Sequence, residues 1–215
     1  MASNLQEQEP SAVTPGASVS LQQGQRISLS QTVPTLEKIM CGLGWDIPSH
    51  SPGGLFSGQE EPSNCDLDAS VICLDSEGTI DNPENIVYFG NLKHQSGGIT
   101  HLGDNKTGAG IGDDEQIVVE LGKIPPEITK LVFTVNIYEC NLKKQDFGRI
   151  ENAYVRLVDM ATNLEFARYN LSGQGGITGM IMAEIYREGD DWYIEAIGRG
   201  VQVNNLEDLV RSYAV

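Results

Sequence analysis

Residues 65 to 73 read CDLDASVIC, and the parity of this stretch decides the fold. Cys65, Leu67, Ala69, Val71 and Cys73 fall on one side of an extended chain, with Asp66 and Asp68 on the other. A period of two is that of a strand with one face on a core. The stretch KLVFTVNIYE, 130 to 139, divides in the same way: Leu131, Phe133, Val135 and Ile137 oppose Val132, Thr134, Asn136 and Tyr138.

Outward from these two segments, short apolar stretches alternate with turn signals along the chain. ISLS at 27, EKIMCGLGW at 37, IVYFG at 86 and QIVVEL at 116 come first, then NAYVRLVD at 152, LEFARYNL at 164, MIMAEIYR at 180 and WYIEAIGRG at 192. Arg187 to Asp191 has the Gly and Asp content of a hairpin connection. Helical signals are few. Leu206, Leu209, Val210 and Tyr213 fit a short C-terminal helix capped by Asn204 or Asn205, and IPPEITK at 124 fits one turn. The expected fold is all-β, an antiparallel β-sandwich with one or two short helices.

Residues 1 to 23, rich in Ser, Gln, Pro and Ala, are expected to form a flexible tail, and 24 to 215 a single domain. Ile47 to Asn64 reads as a surface loop from its Pro, Gly and Ser content. Thirty acids against 14 bases give a formal charge of −16, which disfavours nucleic acid and anionic membranes and favours cations or basic partners. No apolar run is long enough to cross a bilayer, and the first residues lack the pattern of a secretory signal. Cys41, Cys65, Cys73 and Cys140 show no CxxC spacing, so a reducing compartment, the cytoplasm, is expected.

The segment HLGDNKTGAGIGDDEQI, 101 to 117, concentrates Asp104, Asp113, Asp114 and Glu115 among glycines, with Asn105 and Thr107 beside them. Calcium takes six to eight oxygens in flexible geometry, and Gly-rich backbone can turn carbonyls toward one ion. Asp104 and Glu115 stand at the first and twelfth positions of an EF-hand loop, but Lys106, Gly108 and Ala109 occupy positions where that loop needs other groups. A site here would have to be completed from elsewhere, by Asp46 or by Asp66 and Asp68. Same-face strand residues lie roughly 7 Å apart, so one ion could touch either Asp66 or Asp68 and two neighbouring ions both. Pattern alone leaves a solvated acidic turn as an equal alternative. Zinc is disfavoured because His101 is the only imidazole nearby, while magnesium stays open.

Several strings together resemble the TerD family of tellurium-resistance and general stress proteins. They are GLGWD (42 to 46), DLDAS (66 to 70), NLK (91 to 93), GDNKTGAGIGDDE (103 to 115), FGRIENAYVRLVD (147 to 159), ARYNLS (167 to 172), EIYR (184 to 187) and WYIEAIGRG (192 to 200). The resemblance, over residues 20 to 213, implies a β-sandwich binding calcium, two ions, at one end. It implies ligands at Asp46, Asp66, Asp68, Asp104, Asn105, Thr107, Asp113, Asp114 and Glu115. It further implies a cytoplasmic or membrane-peripheral, non-catalytic stress protein with protein partners, other TerD-like proteins among them. Lys106, Ala109 and Ile111 depart from the family's usual GDNLTGEGEGDDE and imply weaker binding.

Two other functions were weighed. Asp68 and Asp114 are the natural pair for glycoside hydrolysis, but the two Trp offer no evident sugar platform, and His50, His94 and His101 are scattered. Trp45 and Trp192 read as core residues, and the arginines at 149, 156, 168, 187 and 199 as partners for surface acids. A calcium-dependent sandwich recognising a carbohydrate or cyclic nucleotide is the alternative, although carboxylates around GAGIG would repel a phosphate unless a metal intervened.

Overall fold

The computed structural model of the protein describes residues 18–46, 65–103, 112–171 and 175–214. The expected surface loop at 47 to 64 lies outside the described residues. Among the described residues, twelve strands form two six-stranded sheets. The first sheet contains β1 (Val19–Ser20), β3 (Lys38–Asp46), β6 (Ile99–His101), β7 (Glu115–Glu120), β9 (Glu151–Asp159) and β10 (Leu164–Asn170), in the order β1-β10-β9-β3-β7-β6. The second contains β2 (Arg26–Ser28), β4 (Leu67–Leu74), β5 (Ile86–Val87), β8 (Lys130–Ile137), β11 (Gly179–Glu188) and β12 (Asp191–Val201), in the order β2-β12-β11-β8-β4-β5. Pairing is antiparallel except between β1 and β10.

The parity of CDLDASVIC sets the layers. Leu67, Ala69, Val71 and Cys73 of β4 and Leu131, Phe133, Val135 and Ile137 of β8 line one core with Ile39, Cys41, Leu43 and Trp45 of β3 and Ile117 and Val119 of β7. The opposite parity of β4 and β8 is covered as well. Ile72, Leu74, Val132 and Ile181 pack beneath Ile80 and Leu209 of the C-terminal helix α3 (Leu206–Arg211). Both β4 and the length of β8 from Leu131 to Ile137 are therefore buried on two faces.

Among the described residues the α-helices are three and short: α1 (Leu29–Thr32), α2 (Cys140–Lys143) and α3. The predicted Asn cap of α3 is Asn205, whose side chain accepts from the Asp208 amide. The hairpin predicted at 187 to 191 joins β11 to β12, with Gly189 in the left-handed region at φ 63°. Two readings change. ISLS at 27 is only in part a strand, because Ser28 Oγ accepts from the Gln31 amide and starts α1. The folded chain also begins before Gly24: Val19 and Ser20 pair with Ala167 and Arg168, and Leu21 is buried in the core. One apolar side chain there outweighs the polar composition of its neighbours.

Candidate metal centre

The strands β3, β4, β7, β8 and β9 place the acidic motifs at one end of the sandwich, where β3 and β8 end and β4, β7 and β9 begin. Asp114 is fixed there by two bonds to β3. Its amide donates to the Leu43 carbonyl at 2.7 Å, and its Oδ2 accepts from the Trp45 amide at 2.9 Å. Asp46, the exposed last residue of β3, accepts from Asn152 Nδ2 at 2.8 Å. The two carboxylates line one cleft of about 600 Å³ with Gly112, Asn152, Tyr154 and Asn170. Burial raises the Asp114 carboxyl pKa above its ordinary value; the charges of Asp46 and Asp113 add to the rise, and the Trp45 amide opposes it. Two anions thus share a half-buried space, a setting that a cation would relieve.

Adjacent Asp113 is turned to a different task. It lies over the outer face of the first sheet, where Arg156 donates to both its oxygens, Nε at 2.7 Å and the second guanidinium nitrogen at 2.9 Å. Tyr154 and Gln116 donate to the same carboxylate at 3.2 and 3.1 Å. GLGWD supplies the room: a Cβ on Gly42 would stand 2.3 Å from the Asp113 carboxylate, and one on Gly44 would stand 2.5 Å from the Tyr154 ring. The glycines of this motif let two side chains of neighbouring segments lie flat across β3.

Glu115 points the opposite way, between the sheets. Its Oε2 accepts from the Ala69 amide at 2.6 Å and lies 3.4 Å from His101 Nε2, in a setting where the glutamate is 1% exposed. The other imidazole nitrogen, Nδ1, accepts from the Gly103 amide at 3.2 Å. This bond anchors the near end of the acidic segment.

Asp68 stands on the outer face of the second sheet, directly opposite Asn136 in the β4–β8 ladder. Asp66 precedes β4, and its carbonyl accepts from the Tyr138 amide at 2.8 Å. Asp104, Asn105 and Thr107 lie outside the described residues. Among the described residues no three His, Cys, Asp or Glu side chains gather closely enough to hold a metal, and the cleft brings together the two carboxylates of Asp46 and Asp114.

Sequence reasoning missed Asn152 and Tyr154, which hold or cover Asp46 and Asp113, while Arg156, read as a partner for surface acids, clamps Asp113. Their signal was present in NAYVRLVD, where alternate positions are polar while Ala153, Val155 and Leu157 enter the core.

Comparisons with known proteins agree with this architecture. The TerD domain matches residues 17–213. The chain is 49% identical over 199 residues to the stress response protein SCP2 of Bacillus subtilis, covering 91% of this chain and 98% of that one. It is 37% identical over 199 residues to the tellurium resistance protein TerD of Serratia marcescens, covering 92% and 98%. A crystal structure of a homologue of the telluride resistance protein TerD from Streptomyces coelicolor shares the fold, with a TM-score of 0.60 at 22% identity over 80% of this chain and 94% of that one. From Ala17 to Tyr213, and over nearly the whole length of these relatives, the chain belongs to the TerD domain family.

Proposed function

We propose that the protein is a calcium-binding, non-catalytic stress-response protein of the tellurium-resistance type, acting in the cytoplasm. In this reading Asp46 and Asp114 hold the ion from the sandwich side, and Asp104, Asn105 and Thr107 complete its shell. Asp113 and Glu115 act as braces that set Asp114 between them. The observation carrying the proposal is the crowding of Asp46 and Asp114 in one cleft at the root of the acidic segment. A divalent cation cancels that repulsion, orders the segment and stabilises the folded state by mass action. The ordered end then presents a surface to protein partners, including other TerD-like proteins or a membrane-peripheral assembly. No helix among the described residues is long and apolar enough to cross a membrane.

A second reading, calcium-dependent recognition of a carbohydrate or cyclic nucleotide, is favoured by the size of the same cleft and by Arg168 in its lining. Calorimetric titration of chelator-treated protein with calcium tests the leading proposal. Heat of binding and a rise in melting temperature are expected, both lost in Asp46→Asn and Asp114→Asn. Absence of calcium heat in the unsubstituted protein rejects it.

A further inference from the structure

A cavity of about 710 Å³ opens on the outer face of the second sheet, apart from the cleft of Asp46 and Asp114. Ile86 and Phe89 line it from the chain after β4, Tyr138 and Leu142 from the chain after β8, and Leu206 and Val210 from α3. Three of these side chains stand out into solvent: Phe89 is 45% exposed, Tyr138 40% and Leu142 80%. The Phe89 and Tyr138 rings meet edge to face, 6.2 Å apart at 86°. Large apolar groups left in water around one concavity mark a surface that another molecule covers.

The backbone holds Leu142 outside. Helix α2 is one turn long, and the residues that flank it, Glu139 and Lys144, are left-handed at φ 55° and 51° without being glycine. That conformation is disfavoured for a residue with a Cβ and persists only where its surroundings enforce it. Here they do. Cys140 Sγ donates to the Val203 carbonyl at 3.5 Å, and Asn141 Nδ2 donates to Asn204 Oδ1, so α2 is tied to the chain leading into α3. The α2 and α3 side of the cavity is therefore preformed.

Charge names the occupant. Among the described residues every charged group of the lining is a carboxylate. Asp68 is buried and already engaged. Glu139 and Glu207 are exposed, and their partners are Lys143 at 4.0 Å and Arg211 at 2.8 Å. Exposed pairs of that kind are weak and give way to incoming cations. A second copy of the chain would bring another formal charge of −16 against these acids, whereas a basic partner is drawn to them. An added strand finds little to bond, since the Ile86 carbonyl of β5 already accepts from Asn91 Nδ2 at 2.8 Å. A lining of apolar side chains suits the apolar face of a helix instead.

We propose that this cavity docks a basic amphipathic helix of a partner protein, its apolar face against Phe89, Tyr138 and Leu142 and its lysines or arginines against Glu139 and Glu207. The surface is independent of the proposed calcium centre, so failure of either reading leaves the other standing.

Three synthetic peptides titrated into the full chain, with saturating calcium and with chelator, provide the test. One is an amphipathic helix of leucine and lysine, the second has glutamate in place of lysine, and the third is a scrambled leucine–lysine peptide whose apolar residues share no face. Binding is followed by calorimetry and by backbone amide resonances. The amphipathic lysine peptide is expected to bind at least tenfold more tightly than either control in both conditions, with shifts at Phe89, Tyr138, Leu142 and Leu206. Leu142→Ser should keep the melting temperature, because the side chain is exposed, and should weaken binding about tenfold. Joint Glu139→Gln and Glu207→Gln should weaken it as well and flatten its dependence on salt. Equal binding of the scrambled peptide, full affinity in Leu142→Ser, or shifts confined to the cleft of Asp46 and Asp114 overturns the proposal. Binding that needs calcium overturns it too, by moving the docking surface to the acidic end.

Discussion

The carboxylate of Glu115 crosses from one sheet to the other, its Oε2 accepting the Ala69 amide at 2.6 Å in the closed end of the core. Strands β7 and β4 are thereby tied through a side chain where no backbone ladder joins them. Glu115→Ala leaves a buried amide without its acceptor and should lower stability by about 1–3 kcal/mol in urea unfolding. Glu115→Gln, which retains an acceptor, should lose less. If Glu115 serves as a brace, the difference persists in chelated protein; a loss that appears only with calcium would make it a ligand instead.

Gly42 and Asp113 should be energetically coupled. A methyl at Gly42 would stand 2.3 Å from the Asp113 carboxylate, which Arg156 clamps from the other side. Gly42→Ala is expected to cost about 1–3 kcal/mol through overpacking and the displaced ion pair. In an Asp113→Ala background most of that cost should vanish, a coupling that a double-mutant cycle measures. Additive losses would show that the glycine is needed for some other reason.

His94 makes the fold sensitive to acid. It is buried, with Nδ1 2.8 Å from Ser96 Oγ and Nε2 3.0 Å from Asn85 Oδ1. Burial holds its pKa below the ordinary 6.5, while Glu127 and Glu84 pull it upward less strongly. As pH falls through about 6.5 the unfolded chain takes up a proton that the folded chain refuses. The stability owed to neutral His94 is thus present above that pH and lost as pH drops through the lowered folded-state value. Melting temperatures of the chain and of His94→Gln, measured from pH 7.5 to 5, should converge toward the acid end; parallel curves would refute the assignment.

The thiols should be silent in the native state. Cys41, Cys65, Cys73 and Cys140 are all buried, and burial pushes Cys41 and Cys73 up to about 12. Because the thiolate is the reactive form, a disulfide reagent at pH 8 should label the folded chain only as fast as it opens. Four thiols per chain should react in denaturant. Rapid native labelling of even one would contradict the burial.

Much of this architecture was legible in the sequence because strand parity has only two outcomes. Leu67 and Phe133 announced the core, and the residues between them announced the other face. What covers that other face was hidden: Leu209 is more than sixty positions away from Val132 in the chain, yet packs in the same cluster. The three residues of β6 were too short to show a period, although they carry His101 to the side of Glu115. The acidic segment posed a different difficulty. Asp113, Asp114 and Glu115 are consecutive and chemically alike, so nothing in the sequence separates their directions. Their directions depend on Arg156, the Trp45 amide and the Ala69 amide, three partners from β9, β3 and β4 that only the folded chain assembles.

The two-residue strand at Val19 and Ser20 has a consequence for how copies of this chain coexist. Among the described residues, the seven-residue β10 has beyond β9 only this short parallel cover, which continues through the bond from the Leu21 amide to the Arg168 carbonyl at 2.8 Å. A chain starting at Gly24 would turn the rim of β10 into an open template and uncover the slot that Leu21 fills. Rims of that kind recruit strands from other molecules. Val19 to Leu21 are in this sense a stopper that keeps each sandwich from growing into its neighbour.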